Sequence, residues 1–351
     1  MFTVSARLRK NPSGTNNYPR DQKPYLTKTM NTFSKSSKHH KLYLLSTFWT
    51  LGLLFLGSIV HATGSSLACP DWPTCYGTMF PEMTGGIFWE HLHRLVAGGL
   101  VLLFIVATWV CWNAEKTRPA VRQWSCIGIF LLLVQSIFGG LTVILKLPDA
   151  ISTTHLALAF LFLSLVTVLT AVTSPTRTTG VLASQKTEYL PSKEVLGFLR
   201  EQQLSRLSVV KKLGILSAIL IFSQSVLGAV VRHTGTGLVC PDVPLCFGEW
   251  IPPLGTMPVV IHFSHRLLGI IVLISLLALA YKSTKTIEDS TIRTLAFTAA
   301  GLGISQVILG FLSVYSLLAI IPVSLHTLIA ALLLSSTVYL STLSWQEEIE
   351  D

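Results

Sequence analysis

The sequence predicts an all-α integral membrane protein: eight transmembrane helices forming two tandem four-helix bundles related by a parallel pseudo-twofold axis. Three observations carry this. Half of the 351 residues are apolar and only 12% are charged, against roughly 25% charged in soluble domains. Eight separated apolar runs lie near 43–63, 88–111, 124–145, 152–175, 210–231, 258–280, 293–317 and 319–342, each close to the ~20 residues that cross hydrocarbon as a helix. Finally, the chain matches itself at an offset of 171. "TGSSLACPDWPTCYG" at 63–77 faces "TGTGLVCPDVPLCFG" at 234–248, and "HLHRLVAGG" at 91–99 faces "HFSHRLLGI" at 262–270, with the second His displaced by one. "QSIFGGLTVI" at 135–144 faces "QVILGFLSVY" at 306–315, and "STTHLALAF" at 152–160 faces "VSLHTLIAA" at 323–331. Four helices per repeat keep both copies in one orientation, which sets the axis along the membrane normal.

In chain order, residues 1–42 are a basic tail rich in Ser, Thr, Asn and Lys, expected to be disordered. It lacks the apolar core of a secretory signal, its modest arginine content weighs against an organellar transit peptide, and Met30 is an alternative start to Met1. Residues 43–175 form the first four-helix half, 176–209 a polar linker, 210–342 the second half and 343–351 an acidic tail. Twenty-two Lys and Arg fall in the tail, the linker and the loops on one side, against Lys146 and Arg232 on the other. By the positive-inside rule both termini and the linker are cytoplasmic or matrix-side. The net charge of +9 is therefore a topology signal, and no nucleic-acid partner is read from it.

Two motifs set ionisable groups at the start of apolar runs: "EHLHR" at 90–94 and "HFSHR" at 262–266. His93 lies about one turn into the second helix and His155 about one turn into the fourth, so both sit at one depth near the outer face. His265 and His326 repeat the arrangement, with spacings of 62 and 61 residues. Ionisable side chains inside spanning helices are functional candidates by default. Imidazole is the usual axial ligand of haem iron, and bundle cores hold such cofactors. Two facing imidazoles per half suit a six-coordinate haem better than four unrelated interfacial histidines. Zinc or copper is disfavoured, because no third or fourth ligand recurs at suitable spacing. Arg94 and Arg266 follow the first ligand of each pair and are candidate propionate partners through their planar forks; Arg232 is a weaker one. His39, His40, His61, His91 and His233 have no paired counterpart and are read as surface or structural. The pairs Gln135/Gly139 and Gln306/Gly310 read as helix packing, and Pro148 and Pro322 as setting the turn before each fourth helix.

The residues "EHLHR", "CPDWPTC", "TTHLALA", "VRHTGTGLVCPDVPLC", "HFSHRLLG" and "LHTLIAA" resemble the haem A synthase family of the bacterial type with paired extracytoplasmic cysteines, over about 43–342. The resemblance implies oxidation of the C8 methyl of haem O to the formyl group of haem A, for haem-copper terminal oxidases. It implies a resident haem B on His265 and His326, and substrate haem O facing His93 and His155. It further implies a bacterial plasma membrane, with an organellar inner membrane less favoured. An electron donor that the sequence does not name is required, and docking of the haem O synthase is a partner reading.

The halves differ at one informative place. Three residues before the first ligand the N-terminal half has Glu90 and the C-terminal half has His262. An i,i+3 pair shares a helix face, so Glu90 is read as the catalytic carboxylate beside His93, able to stabilise charge or move protons. The bland alternative is an acid favoured by a helix N-terminus. Cys69 and Cys75, like Cys240 and Cys246, are C-x5-C pairs in outward loops, where disulfides persist. One disulfide per loop is expected, and the resemblance leaves Cys69–Cys75 open as a redox participant or a plain staple. Cys111 and Cys126 read as ordinary apolar residues. The competing function is a bis-His membrane cytochrome b that carries electrons without modifying its haem. A transporter on a parallel repeat is a third reading, weakened by the absence of midplane charges.

Overall fold

The computed structural model describes residues 38–114, 118–175, 193–286 and 290–350. The readings made for residues 1–37 and 176–192 lie outside the described residues. Eight helices follow one another: α1 Lys38–Ala62, α2 Gly85–Trp112, α3 Pro119–Ile144, α4 Asp149–Val172, α5 Lys193–His233, α6 Met257–Thr286, α7 Ser290–Tyr315 and α8 Ile320–Glu350. A short 3-10 turn, Thr236–Leu238, separates α5 from the following loop. Each of the eight carries a stretch long and apolar enough to cross a membrane; in α5 it is Leu207–His233. The all-α, eight-span reading is borne out.

Helices extend beyond the apolar runs where polar sequence continues without a breaker. Thus α5 begins inside the stretch read as linker, and α8 runs into the segment read as an acidic tail. The tight turns are equally local. After α3, Leu147 N–H donates to Thr142 O and Lys146 N–H to Val143 O, the paired bonds of a Schellman cap. After α7, Leu318 N–H and Leu317 N–H bond Ser313 O and Val314 O in the same way. Lys146, Leu147, Leu317 and Leu318 all take positive φ. Pro148 then stands at the N-cap of α4, and its carbonyl accepts from Ser152 N–H.

Helix neighbours are α1 with α2, α4 and α8; α4 with α3, α5 and α8; α5 with α6 and α8; and α2 with α3, α6 with α7, and α7 with α8. One apolar cluster runs through Tyr43, Phe104, Phe162, Leu276 and Leu333, so all the helices share a core. Lipid tails are as apolar as Leu, so burial alone does not hold spanning helices together; packing and interhelical hydrogen bonds do. Tyr43 and Ser125 hydroxyls meet at 2.6 Å, Thr47 and Thr170 at 3.0 Å, and Thr167 and Ser335 at 3.0 Å. Each such bond contributes about 0.6 kcal/mol in a bilayer. Phe48, Trp109, Phe130 and Ile274 point outward and are exposed, as lipid-facing side chains would be.

Candidate functional site

Each of the four candidate histidines is seated on a glycine of the preceding helix. A Cβ at Gly57 on α1 would stand 3.1 Å from Cε1 of His93, and one at Gly139 on α3 would stand 3.0 Å from that of His155. At Gly228 on α5 the distance to His265 is 2.9 Å, and at Gly310 on α7 the distance to His326 is 3.3 Å. The missing side chain is what lets each imidazole lie against the neighbouring backbone. One turn before three of these glycines stands a glutamine. His155 Nδ1 donates to the Gln135 carbonyl at 3.1 Å, which leaves Nε2 as the lone-pair nitrogen, and Gln135 Nε2 approaches it at 3.4 Å. Gln224 Nε2 donates to the His265 carbonyl at 2.9 Å. Nδ1 of His326 has no hydrogen-bond partner.

Among the described residues, buried polar atoms without a partner gather at this level. They include Nδ1 of His93, His265 and His326, and Oε1 of Gln135, Gln224 and Gln306. Buried polar groups are nearly always paired, so the cluster marks a place built for something polar to enter. Beside the second pair lies a cavity of about 730 Å³, lined by His265, His326, Gln224, Gln306, Arg232 and His61 among apolar walls that include Leu156 and Phe160; His93 and Gln135 are not part of its lining. Its size falls within the roughly 300–1,000 Å³ of small-ligand and cofactor sites. Two imidazoles facing one largely apolar cavity fit a planar iron porphyrin.

The arginines after His93 and His265 hold the cysteine loops. Arg94 Nη1 donates to Asp71 O and Thr74 O, both at 2.6 Å, and Nη2 to Cys69 O at 3.3 Å. Arg266 repeats this on Asp242 O at 2.8 Å, Leu245 O at 2.6 Å and Cys240 O at 2.8 Å. Glu90, only 4% exposed, completes the first clamp, with Oε1 2.5 Å from Arg94 Nη2 and Oε2 accepting from Cys69 N–H at 2.8 Å. His262 occupies the same place in the second, 3.2 Å from Arg266 Nε and 3.4 Å from Cys240 N. A carboxylate accepts at both oxygens, whereas neutral imidazole accepts at one nitrogen, so only Glu90 satisfies both donors and balances its arginine. The hydrogen bonds of Glu90 therefore go to the loop and to Arg94, and the structure shows none between its carboxylate and His93.

Both disulfides are present, Cys69–Cys75 at 2.00 Å and Cys240–Cys246 at 2.03 Å. The loops match in detail, with cis peptides at Trp72–Pro73 and Val243–Pro244. Asp71 accepts from Tyr76 N–H at 2.6 Å, from Gly77 N–H at 2.9 Å and from the Thr74 hydroxyl. Asp242 accepts from Phe247 N–H at 2.8 Å and Gly248 N–H at 2.7 Å. The Thr74 hydroxyl most of all holds the Asp71 carboxyl below its ordinary range, and the Gly248 amide does the same for Asp242.

The model of the COX15-CtaA family, described as cytochrome oxidase assembly protein, matches residues 40–338. The chain belongs to this family. It is 28% identical over 311 residues to a protein titled heme A synthase from Shouchella clausii (strain KSM-K16), covering 86% of this chain and 96% of that one. It is 27% identical over 346 residues to one of the same title from Shewanella oneidensis (strain MR-1), covering 87% and 96%. A third, from Symbiobacterium thermophilum, is 28% identical over 289 residues, covering 81% and 86%.

This COX15-CtaA chain also carries His61 and His233, read from the sequence as surface or structural, and Arg232, the weaker propionate candidate. His61 and His233 stack with centroids 5.4 Å apart and planes at 17°. His233 Nδ1 meets the Thr153 hydroxyl at 3.0 Å, two residues before His155. Arg232 donates to Ser58 Oγ at 2.9 Å and Ser58 O at 2.8 Å, and Ser58 Oγ reaches Thr327, beside His326, at 3.1 Å. The recurrence of Gln-x3-Gly at 135, 224 and 306 was a signal for the histidine seats, since one of the three lies outside the aligned repeat blocks.

Proposed function

We propose that the chain is a haem A synthase, a membrane oxidoreductase that converts the C8 methyl of haem O to the formyl group of haem A. The observation that carries this is the set of four buried imidazoles, each seated on a glycine, in a chain matching the COX15-CtaA family from residue 40 to 338. The relatives' shared title supports the same activity.

We further propose two four-helix halves, 43–175 and 210–342, related by a pseudo-twofold axis. The neighbour pattern supports it: α1 to α4 close a ring, α5 to α8 close a matching one, and the contacts of α1 with α8 and of α4 with α5 exchange under the repeat. His265 and His326 would hold a resident haem B, and His93 and His155 would hold substrate haem O. Haem B, when bound, supplies a one-electron redox centre. The rest falls to the chain. Gln135 fixes the tautomer of His155, so that Nε2 carries the lone pair that would ligate. Arg232, His61 and Arg266 line the cavity and are the candidates to meet a carboxylate there; the fork of Arg232 also donates to Ser58 and that of Arg266 to loop carbonyls. Glu90 is the proposed acid–base residue of the substrate half, held ready as the partner of Arg94. The basic tail, linker and loops support cytoplasmic termini in a bacterial plasma membrane.

The test is chromatography of acid-extracted haems from protein purified out of cells that also make haem O. Haem A or hydroxylated haem O beside haem B is expected. Haem B alone, with haem O abundant, would replace this reading with a bis-His cytochrome.

A further inference from the structure

Directly beside the Glu90–Arg94 clamp, His91 on α2 is 2% exposed and packs into the first cysteine loop. Its Nε2 lies 2.9 Å from the Met79 carbonyl. A carbonyl only accepts, so Nε2 carries the proton and Nδ1 the lone pair, and Nδ1 is buried without a partner. A ring nitrogen of His91 and the sulfurs of Cys69 and Cys75 all lie within 4.8 Å of one another, and all three residues are buried. The second loop has the matching arginine, disulfide and Asp. Matching Glu90 to His262 and Arg94 to Arg266, however, puts Phe263 where the first loop has His91. No comparable group forms there among the described residues.

We propose that reduction of Cys69–Cys75 opens a three-ligand site for a thiophilic d10 cation, Zn²⁺ or Cu⁺, formed by both sulfurs and His91. Thiolate and imidazole are the donors such cations select. Donation of the other ring N–H to a backbone carbonyl is the support that metal-binding histidines normally have. Tetrahedral bonds of about 2.3 Å to sulfur and 2.0 Å to nitrogen place ligand atoms roughly 3.5–3.8 Å apart, so the sulfurs, 2.00 Å apart in the disulfide, must separate by about 1.8 Å on reduction, with the histidine nitrogen already within 4.8 Å of both. Two thiolates balance a dication, and Glu90 already neutralises the nearby Arg94. The reductant is a dithiol. Its thiolate attacks one sulfur and its second thiol resolves the mixed disulfide, leaving Cys69 and Cys75 as thiols and the reductant as a disulfide. Cation binding then releases the two thiol protons. The loop thus exchanges one cross-link for another directly over the turn that bears His93. The proposal does not depend on the haem chemistry.

The test uses the full chain in detergent, oxidised or reduced with a phosphine, equilibrated with Zn²⁺ alone and assayed for bound zinc. Imidazoles elsewhere bind equally in both states, so the difference isolates the cysteines. One additional zinc per chain is expected on reduction, with Co²⁺ in its place giving thiolate-to-cobalt charge-transfer absorption. His91→Phe, which installs the residue of the second loop, is expected to weaken the additional site at least ~10-fold, while Cys246→Ser leaves it intact. His91→Asn serves as a second variant should the first fold poorly. No gain on reduction, or an equal gain in the His91 variants, overturns the proposal.

Discussion

Replacing Gly228 by Ala adds one carbon 2.9 Å from Cε1 of His265, about 0.5 Å short of the 3.4 Å at which ordinary contact begins. The carbon is fixed to the α5 backbone, so the imidazole must move. Metal–ligand distances tolerate only about ±0.2 Å, so a shift of this size would leave the ring unable to hold the haem in the proposed way. Overpacking of this kind costs about 1–3 kcal/mol, which corresponds to roughly 5- to 150-fold weaker retention of haem. The helix itself gains from the change, since Ala is favoured over Gly by about 1 kcal/mol, so loss of haem would not reflect unfolding of α5. Haem content and the reduced absorption spectrum of the purified variant are the assay. Gly310→Ala, only 0.1 Å inside the same limit at 3.3 Å, is expected to be milder. Gly301→Ala, on α7 with nothing within 4 Å, is expected to be silent. Full haem content with an unchanged spectrum in Gly228→Ala, or equal damage in Gly301→Ala, would refute the reasoning.

Glu90→Ala is expected to retain haem B and abolish haem A, read from extracted haems; normal haem A output would remove Glu90 from the chemistry. Arg266→Ala deletes three carbonyl contacts. Bonds to charged groups contribute about 1.5–3 kcal/mol each when buried and less at a half-buried site. Limited chymotrypsin cleavage at Phe247 should then accelerate at least ~10-fold, and Arg266→Lys should not restore protection because a point charge cannot replace a fork. For Asp71 and Asp242, whose carboxyls sit below the ordinary 3.8, the stabilisation is complete above that value and is lost as pH falls through the lower folded one. Exchange protection at the Gly77 and Gly248 amides should therefore hold steady from pH 7 to about 5 and fail only below about 4. Asp242→Asn should remove the step at Gly248 alone; a step that survives the substitution would assign the titration elsewhere.

The eight spans were legible because each needs only an unbroken apolar run, and the depth of the four histidines followed from counting turns along them. The disulfides were legible from loop position and spacing. The direction of Arg94 and Arg266 was not. Whether a guanidinium turns inward or back onto a loop depends on where the carbonyls of residues 69–74 and 240–245 end up, and no local pattern encodes that. Gly57 sits in an ordinary apolar stretch with nothing to mark it as the seat of His93, whereas Gly139 and Gly310 were noticed and read as helix packing. His91 and His61 carry no comparable sign in the sequence, because neither belongs to a histidine pair repeated in both halves. Their partners are the disulfide loop in one case and a residue of the other repeat in the second.

The contacts of Arg232 with Ser58 and of His233 with His61 bear on how such a chain can be divided. In the repeat register His61 is the counterpart of Arg232, and Ser58 that of Ala229, so the two copies meet through unlike residues. Two copies of the second segment would bring together a pair of guanidiniums with no serine to receive them, and two copies of the first would supply the serine but no cation. Under the proposed division into halves, these contacts favour the pairing of unlike pieces over like ones.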